Sequence, residues 1–174
     1  QCNNSLIIYP NSNSGYGVGG ESECTEETII NPISVYGNTK MQAESMVLGI
    51  GGIALRFATL FGASPRMRLD LLVNDFVYRA VRDRALTLFE AHFRRNYLHV
   101  RDAALAFIFA IEHADQMRGK VFNCGDSRAN MTKAQLCERI AAHVPGFTWN
   151  EAPIGEDPDK RDYVVSNAKL EAAG

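Results

Sequence analysis

An α/β fold with a parallel sheet is predicted, because strand-like and helix-like segments alternate along the chain. Two apolar runs, at residues 6–10 and 52–62, are typical of parallel strands that are buried on both faces. Two segments with helical patterns, at residues 32–48 and 69–81, follow these runs in turn. This order of elements favours strands that are connected through helices lying on the faces of one sheet.

The boundaries of the first helix are predicted from its terminal residues. Asn31 can cap it, Pro32 suits its first position and Gly49 suits its end. The second helix, 69–81, is amphipathic, with apolar residues at helical spacing: Leu69, Leu72, Val73, Phe76, Val77, Ala80 and Val81.

Further elements follow in the second half of the chain. Strands are predicted in the stretches ALTLFE, NYLHV and KVFNCGD, and Asp102 can open an apolar helix that ends near residue 114. Thr132 and Gln135 form the pattern of a capping box, which predicts a helix over 132–143.

Composition restricts the classes of function. The 174 residues are 46% apolar, and 18 basic against 20 acidic side chains give a net charge of −2. One globular domain without affinity for nucleic acid or an anionic membrane is expected. No signal peptide and no run of about 18 apolar residues is present, so a cytoplasmic location is expected. Four dispersed cysteines favour free thiols over a metal site: Cys2, Cys24, Cys124 and Cys137.

The stretch GYGVGG, residues 15–20, matches the dinucleotide-binding pattern GxGxxG. That pattern binds a pyrophosphate only where the glycine turn opens a helix. Polar residues without apolar periodicity follow here, so an active-site loop is predicted instead.

Tyr36 and Lys40 are four residues apart and share one face of the first predicted helix. A tyrosine is a poor base at neutral pH, but a nearby ammonium favours its phenolate. Such a pair suits proton removal from an alcohol whose carbon loses a hydride. The alternative is a solvated surface pair with no chemical role.

Ser12 and Ser14 follow the first predicted strand, at the end where open α/β sheets bind their ligands. Either hydroxyl could hydrogen-bond a substrate hydroxyl or the phenol of Tyr36. Ordinary turn chemistry is the alternative for each serine alone. A serine at a strand end, followed by a loop and Tyr-x-x-x-Lys on a helix, is more specific than its parts.

With these motifs the sequence resembles the extended short-chain dehydrogenases/reductases, in particular the NAD-dependent nucleotide-sugar epimerases and dehydratases. YPNSNSGYG is similar to the family's serine segment, PISVYGNTKMQAE to its Tyr-x-x-x-Lys helix and LRFATLFG to its LRxxNxxG strand. RNYLHVRDAA and VFNCGD are similar to its RDYxHVxDxA and xxNxG segments. The resemblance covers nearly the whole chain and implies a partial Rossmann-like parallel sheet.

The resemblance also implies roles for individual residues. Tyr36 would be the catalytic base, and Lys40 would lower its pKa and bind the nicotinamide ribose. Ser12 would orient the sugar hydroxyl. Arg95 and Arg161 match positions where the family binds the nucleotide diphosphate, a task that suits a guanidinium.

Three departures from the family pattern limit what the resemblance implies. The glycine-rich NAD-binding segment that precedes the serine strand in the family has no counterpart here, so the chain is interpreted as a truncated or fragment form. Thr59 stands where many relatives have a sugar-binding asparagine, which leaves the sugar open. Asn13 and Ser14 replace the Asp-Glu pair of the 4,6-dehydratases, which disfavours dehydration.

The resulting hypothesis is an NAD-dependent nucleotide-sugar epimerase. One alternative is a keto-sugar reductase that uses NADPH, and another is a non-catalytic remnant that binds a sugar nucleotide or a partner chain.

Residues 1–62 are expected to form the C-terminal part of a Rossmann-like domain. Residues 63–174 are expected to form a substrate-binding region, some of whose elements return to that domain. Loss of the elements that cover the sheet in the family would leave an unpaired strand edge near residues 6–10, so a homodimer or larger assembly is predicted. The resemblance implies the helix at 32–48 as a second candidate interface, since members of the family commonly dimerise through it.

Overall fold

The computed structural model describes residues 5–20, 22–156 and 160–174. The strands are β1 Ile8–Ser12, β2 Ile53–Phe57, β3 Thr59–Phe61, β4 Ala85–Leu88, β5 Arg94–His99, β6 Val121–Cys124, β7 Asn130–Thr132 and β8 Thr148–Glu151. The helices are α1 Val35–Gly49, α2 Leu72–Arg82, α3 Val100–Glu112, α4 Ala114–Met117, α5 Lys133–His143 and α6 Ala168–Glu171. The predicted α/β class is confirmed. None of these helices, within the ranges described, is long and apolar enough to cross a bilayer.

The first sheet is parallel throughout and has the order β1-β2-β6. Ser12 pairs with Phe57, and Phe57 pairs with Cys124, so the three strands end at one edge. All five residues of β2 are buried because strands flank it on both sides. In β1, by contrast, Pro10 is exposed and Ile8 is half-buried. This strand lies at the edge of the sheet among the described residues.

Two smaller sheets complete the fold. One has the order β3-β5-β7, with β3 and β5 parallel and β5 and β7 antiparallel, and the other pairs β4 with β8. The smaller sheets, α2 and α5 share a core that includes Phe76, Leu86, Tyr97, Leu136 and Ile140. A second core lies around the first sheet and α3, and it includes Ile53, Leu55, Phe57, Ala110 and Phe122.

The predicted strand over residues 52–62 is in fact two strands that belong to different sheets. The amide of Ala58 donates to the carbonyl of Cys124 at 2.9 Å, which is the last link to β6. Thr59 then pairs with Tyr97 in the second sheet. A continuous apolar run suits either buried sheet, so periodicity alone could not locate this transition.

The first helix begins later than predicted. Ser34 is its N-cap, since its backbone is extended and its hydroxyl accepts the Gly37 N–H at 3.1 Å. Asn31, the predicted cap, instead donates its backbone N–H to the Gly15 carbonyl at 3.0 Å in the preceding loop. The first predicted strand is shifted as well, from residues 6–10 to Ile8–Ser12.

Elements with strong local signals lie close to their predicted positions. The amphipathic helix predicted over 69–81 is α2, which buries Val73, Phe76 and Ala80. The capping box of Thr132 and Gln135 is confirmed at the start of α5, with both reciprocal hydrogen bonds formed.

Candidate active site

A cleft of about 510 Å³ opens where β1 and β2 end, at the carboxyl edge of the first sheet. Ligands of open α/β sheets bind at this edge. Five of the residues singled out in the sequence line the cleft together: Ser12, Tyr36, Lys40, Thr59 and Arg161. They come from β1, α1, β3 and the C-terminal segment, so only the folded chain brings them together.

Tyr36 and Lys40 lie on the first turns of α1, on the side that faces the cleft. Tyr36 is 55% exposed, so its phenol is accessible to a ligand. The Nζ atom of Lys40 is 5.9 Å from the centre of the Tyr36 ring and 4.7 Å from that of Tyr9. It also donates a hydrogen bond to the Pro10 carbonyl at 2.6 Å. Partial burial lowers the pKa of the Lys40 ammonium.

Ser12 is the last residue of β1, and its position is fixed by the turn that follows. Its Oγ accepts the Ser14 N–H at 3.2 Å and caps a 3₁₀ turn over Asn13–Tyr16. Its own N–H donates to the Asn11 side-chain oxygen at 2.8 Å. The hydroxyl of Ser12 therefore lies at the mouth of the first sheet, in the same cleft as the Tyr36 phenol.

Ser14 and Arg95 do not line the cleft. Ser14 is buried in the 3₁₀ turn, as is Asn13, and its hydroxyl has no hydrogen-bond partner among the described residues. Arg95 is buried on β5, where it donates to the Arg94 carbonyl at 2.9 Å. Its guanidinium lies 5.6 Å from the centre of the Tyr163 ring, and Tyr163 is the residue that reaches the cleft.

A buried ion pair supports the cleft, and the sequence patterns did not predict it. Arg56 on β2 donates to both carboxylate oxygens of Glu44 on α1, at 2.9 and 2.6 Å. Asn11 on β1 donates to the same carboxylate at 2.7 Å. Glu44 lies one helical turn after Lys40 and two turns after Tyr36. The pair therefore fixes the part of α1 that carries Tyr36 and Lys40 against the ends of β1 and β2.

The network continues to the opposite side of Arg56. Its Nη1 donates to the Tyr16 hydroxyl at 2.9 Å, and that hydroxyl donates to the Asn123 side chain on β6 at 2.6 Å. Burial raises the pKa of Tyr16 to about 12, although the nearby Arg56 guanidinium acts to lower it. Burial alone would lower the pKa of Arg56, but its bonds to Glu44 and Tyr16 raise it. One signal could have revealed this network: an arginine inside a buried apolar run needs a buried partner.

The glycine-rich stretch 15–20 continues from the 3₁₀ turn into a loop, and among the described residues it opens no α-helix, as predicted. Gly17 has φ +67°, which a residue with a side chain rarely adopts. Gly19 donates its N–H to the Asp162 carbonyl at 2.7 Å. Among the described residues, the next helix begins only at Val35. In the same ranges, no group of three His, Cys, Asp or Glu side chains could hold a metal.

A family model and two curated relatives point to the same kind of protein. A model described as the NAD dependent epimerase/dehydratase family matches residues 1–125. An uncharacterized UDP-glucose epimerase, YtcB of Bacillus subtilis (strain 168), is 26% identical over 172 residues, covering 94% of this chain and 53% of that protein. The UDP-glucose 4-epimerase of Lactobacillus helveticus is 28% identical over 177 residues, covering 88% and 53%. The chain spans about half the length of these curated relatives.

Solved structures show the same fold. The crystal structure of dTDP-glucose 4,6-dehydratase from Bacillus anthracis str. Ames, in complex with NAD, superposes with a TM-score of 0.80 at 23% identity. The match covers 97% of this chain and 55% of that one. The predicted partial Rossmann-like architecture is thereby confirmed. At this identity the likeness concerns the fold and does not distinguish an epimerase from a dehydratase.

Proposed function

We propose that this chain, which belongs to the NAD dependent epimerase/dehydratase family, carries the acid–base and substrate-binding residues of a nucleotide-sugar epimerase. One observation supports this most: Ser12, Tyr36 and Lys40, from two separate elements, line a single cleft at the carboxyl edge of a parallel sheet. A solvated surface pair with no chemical role would not require a strand-end serine in the same cleft.

The chemistry follows from these three side chains. The Lys40 ammonium stabilises the phenolate of Tyr36, which takes the proton of a sugar hydroxyl while Ser12 hydrogen-bonds the same oxygen. NAD, when bound, supplies the acceptor for the hydride that leaves the same carbon and returns it later. For inversion, the ketone must present its other face before the hydride returns and Tyr36 gives back the proton. Inversion of one carbon therefore needs no other acid or base.

The described residues fit one part of NAD. Lys40 lies beside the exposed Tyr36 in the cleft and can hold the nicotinamide ribose there. In the described ranges, the glycine run 15–20 is not followed by a helix whose N-terminus could bind a pyrophosphate. We therefore assign only the nicotinamide end of the cofactor to these residues. NADP in place of NAD stays open, because the contacts that distinguish the two are not among them.

The substrate proposed is a nucleoside diphosphate sugar. Arg161 lines the cleft and brings a guanidinium suited to the diphosphate, and Thr59 lies near the sugar-reacting side chains. UDP-glucose is the first candidate, since the curated relatives are UDP-glucose epimerases. Arg95 is buried beside the Tyr163 ring and does not line the cleft, so the diphosphate is assigned to Arg161 alone.

An isomerase is favoured over a dehydratase by the residues after Ser12. Elimination of water needs an acid and a base beside the sugar, but Asn13 and Ser14 are neither, and both are buried. A second candidate, sugar-nucleotide binding without turnover, is favoured by the absence of a pyrophosphate cradle among the described residues.

One experiment separates these two functions. The protein at its natural full length is incubated with NAD and UDP-glucose, and the product is followed by proton NMR. Appearance of the 4-epimer supports the epimerase. Binding of UDP-glucose without any change in the sugar, at NAD concentrations that saturate the protein, would favour the non-catalytic function.

A further inference from the structure

The C-terminal segment 160–167, called the strap below, is an extended stretch that crosses the glycine-rich loop. Val18 and Cys24 form parallel bridges with Asp162 and Val165. The Gly19 N–H donates to the Asp162 carbonyl at 2.7 Å, and the Cys24 N–H donates to the Val164 carbonyl at 2.8 Å. The loop 15–20 that matches a phosphate-binding pattern thus supports the strap.

Side chains alternate along this extended stretch. Arg161 and Tyr163 line the cleft, so Asp162 between them projects to the other side. There its Oδ1 accepts the backbone N–H of Arg94 at 2.7 Å and the Arg94 Nε at 3.0 Å, and its Oδ2 accepts Nη2 at 3.0 Å. One carboxylate therefore forms three hydrogen bonds to a single residue of β5.

The strap is anchored to a paired strand and to a buried aromatic ring. Arg94 lies opposite Thr132 in the sheet formed by β3, β5 and β7. Tyr163 is 2% exposed, and its ring makes an edge contact with Tyr16 at 6.4 Å between ring centres. Burial raises the pKa of the Asp162 carboxyl, but the bonds from Arg94 outweigh this effect and lower it. The anchoring ion pair is consequently intact at neutral pH.

We propose that Asp162 and Arg94 are positioning residues that hold Arg161 and Tyr163 in the cleft for the diphosphate of a nucleoside diphosphate. This inference rests on the proposed function of the cleft. Asp162 does not touch the ligand, and its negative charge close to the site opposes an anion. Electrostatics alone therefore predicts that removing this charge strengthens diphosphate binding, whereas loss of positioning weakens it. The two effects have opposite signs.

The test is a double-mutant cycle on this chain, with UDP as the probe and titration calorimetry as the measurement. Asp162→Asn, Arg161→Ala and the double variant are compared with the wild type. Asp162→Asn should weaken UDP binding by about tenfold. If Asp162 acts through Arg161, the double variant should bind no more weakly than Arg161→Ala alone. Asp162→Asn should weaken the binding of uridine, which lacks the diphosphate, by a smaller factor than it weakens the binding of UDP.

Two further variants control the result. Asp75→Asn removes the same charge from an exposed i,i+4 pair with Arg79 and should leave the UDP affinity within twofold of the wild type. Arg94→Gln disrupts the same ion pair from β5 and should reproduce the loss, with folding monitored by thermal unfolding of each variant.

Three results would overturn the inference, and they can be distinguished. If wild-type protein binds UDP and Asp162→Asn binds it equally or more tightly, the positioning role is wrong and the proposed cleft stands. If Asp162→Asn weakens UDP binding by the same factor in the wild type and in Arg161→Ala, Asp162 does not act through Arg161 and the inference is wrong. If the wild type binds neither UDP nor UDP-glucose, the proposed function fails together with the inference.

Discussion

Tyr36 is the side chain on which the proposed chemistry depends most. Its phenol is exposed in the cleft, and the Lys40 ammonium lies near its ring while held by the Pro10 carbonyl. An isolated tyrosine would be protonated at neutral pH, so its use as a base requires that neighbouring charge. The arrangement is consistent with the proposal that Tyr36 transfers the proton and Lys40 supports it electrostatically.

Under the proposed function, Tyr36→Phe should remove nearly all turnover and leave UDP-glucose binding almost unchanged. The substitution deletes the ionisable oxygen and keeps the ring, and acid–base groups typically contribute about 10²–10⁴-fold. Steady-state rates and titration calorimetry measure the two effects separately. A variant that retains more than about a tenth of the turnover would argue against Tyr36 as the base.

Tyr78→Phe is the matched control, because this tyrosine lies on α2 outside the cleft. Its hydroxyl makes only a 3.3 Å contact with Arg82 among the bonds described for it. Its removal should leave turnover at the wild-type level. An equal loss in both variants would indicate a general effect of removing a phenol.

Local residue patterns identified most of the candidate residues that line the cleft, but they did not identify the buried ion pair of Glu44 and Arg56. Ser12, Tyr36, Lys40 and Thr59 could be selected from motifs, and they meet in the cleft because β1 ends, and α1 and β3 begin, at one edge of the first sheet. The position of Arg56 inside an apolar run indicates that it has a buried partner, but neither stretch identifies Glu44 as that partner, since the pair joins residues from separate elements. Arg95 matched a motif by type, but burial on β5 places it outside the cleft.

At the level of secondary-structure elements, the ion pair of Glu44 and Arg56 fixes helix α1 to the central strand β2. Both side chains are less than a tenth exposed. Removing one partner leaves a buried charge without compensation, which is far more costly than disrupting a surface pair. The position of α1, which carries Tyr36 and Lys40, thus depends on a buried polar contact with β2.

Glu44→Leu should reduce the free energy of unfolding by about 3–5 kcal/mol, because the Arg56 guanidinium would stay buried without its partner. Urea unfolding followed by circular dichroism measures this loss. Asp75→Leu breaks the exposed pair with Arg79 on α2 and should cost at most about 1 kcal/mol. Equal losses in the two variants would refute a special role for the buried pair.

Thr132→Ala should reduce the free energy of unfolding by about 1 kcal/mol, since it removes half of the capping box of α5. The same urea unfolding measures it. Ser45→Ala serves as the control, because this hydroxyl bonds back to the Met41 carbonyl within a helix, where such bonds add little. A larger loss in Ser45→Ala than in Thr132→Ala would contradict the assignment of the cap.

Elements could be predicted from the sequence where the signal is local, as with α2 and the capping box of α5. Predictions failed where tertiary contacts decide. Residues 52–62 change sheets at Ala58, which no periodicity reveals. The N-cap of α1 is Ser34, whose hydroxyl accepts the Gly37 N–H, whereas Asn31 lies in the preceding loop and donates its backbone N–H to the Gly15 carbonyl. The division of the chain at residue 62 remains a prediction, although β6 joins β1 and β2 in the first sheet.

At the scale of the whole molecule, the described residues present two kinds of uncovered surface. The outer edge of β1 has no strand partner among them, and α1 exposes Val35 and Met46. Exposed apolar side chains and open strand edges favour association with other chains. The assembly into a dimer or larger oligomer therefore remains a prediction of the sequence.

Light scattering at micromolar concentration should give at least the mass of a dimer. Met46→Ser on α1 should shift the equilibrium toward the monomer, because it removes an apolar side chain that is 75% exposed. Val81→Ser on α2 is the control at a second exposed apolar position and should leave the mass unchanged. A monodisperse wild-type monomer would refute the prediction.

This chain should bind NAD much more weakly than the dTDP-glucose 4,6-dehydratase that was solved in complex with NAD, 55% of whose chain it matches. The described residues offer contacts to the nicotinamide ribose, through Lys40, and no helix opens after the glycine run 15–20 to hold the pyrophosphate. Titration calorimetry with NAD measures the affinity. Micromolar or tighter binding would contradict the prediction and would locate a cofactor site within these residues.

The central claim, oxidation and re-reduction of one sugar carbon, is tested most directly with a deuterium label. UDP-glucose carrying deuterium at the carbon whose configuration inverts is converted by the full-length enzyme in ordinary water, and the product is analysed by mass spectrometry. If the hydride leaves to NAD and returns to the same carbon, the product retains the deuterium. Loss of the deuterium to solvent would show that the carbon is deprotonated instead, which would contradict the role proposed for Tyr36.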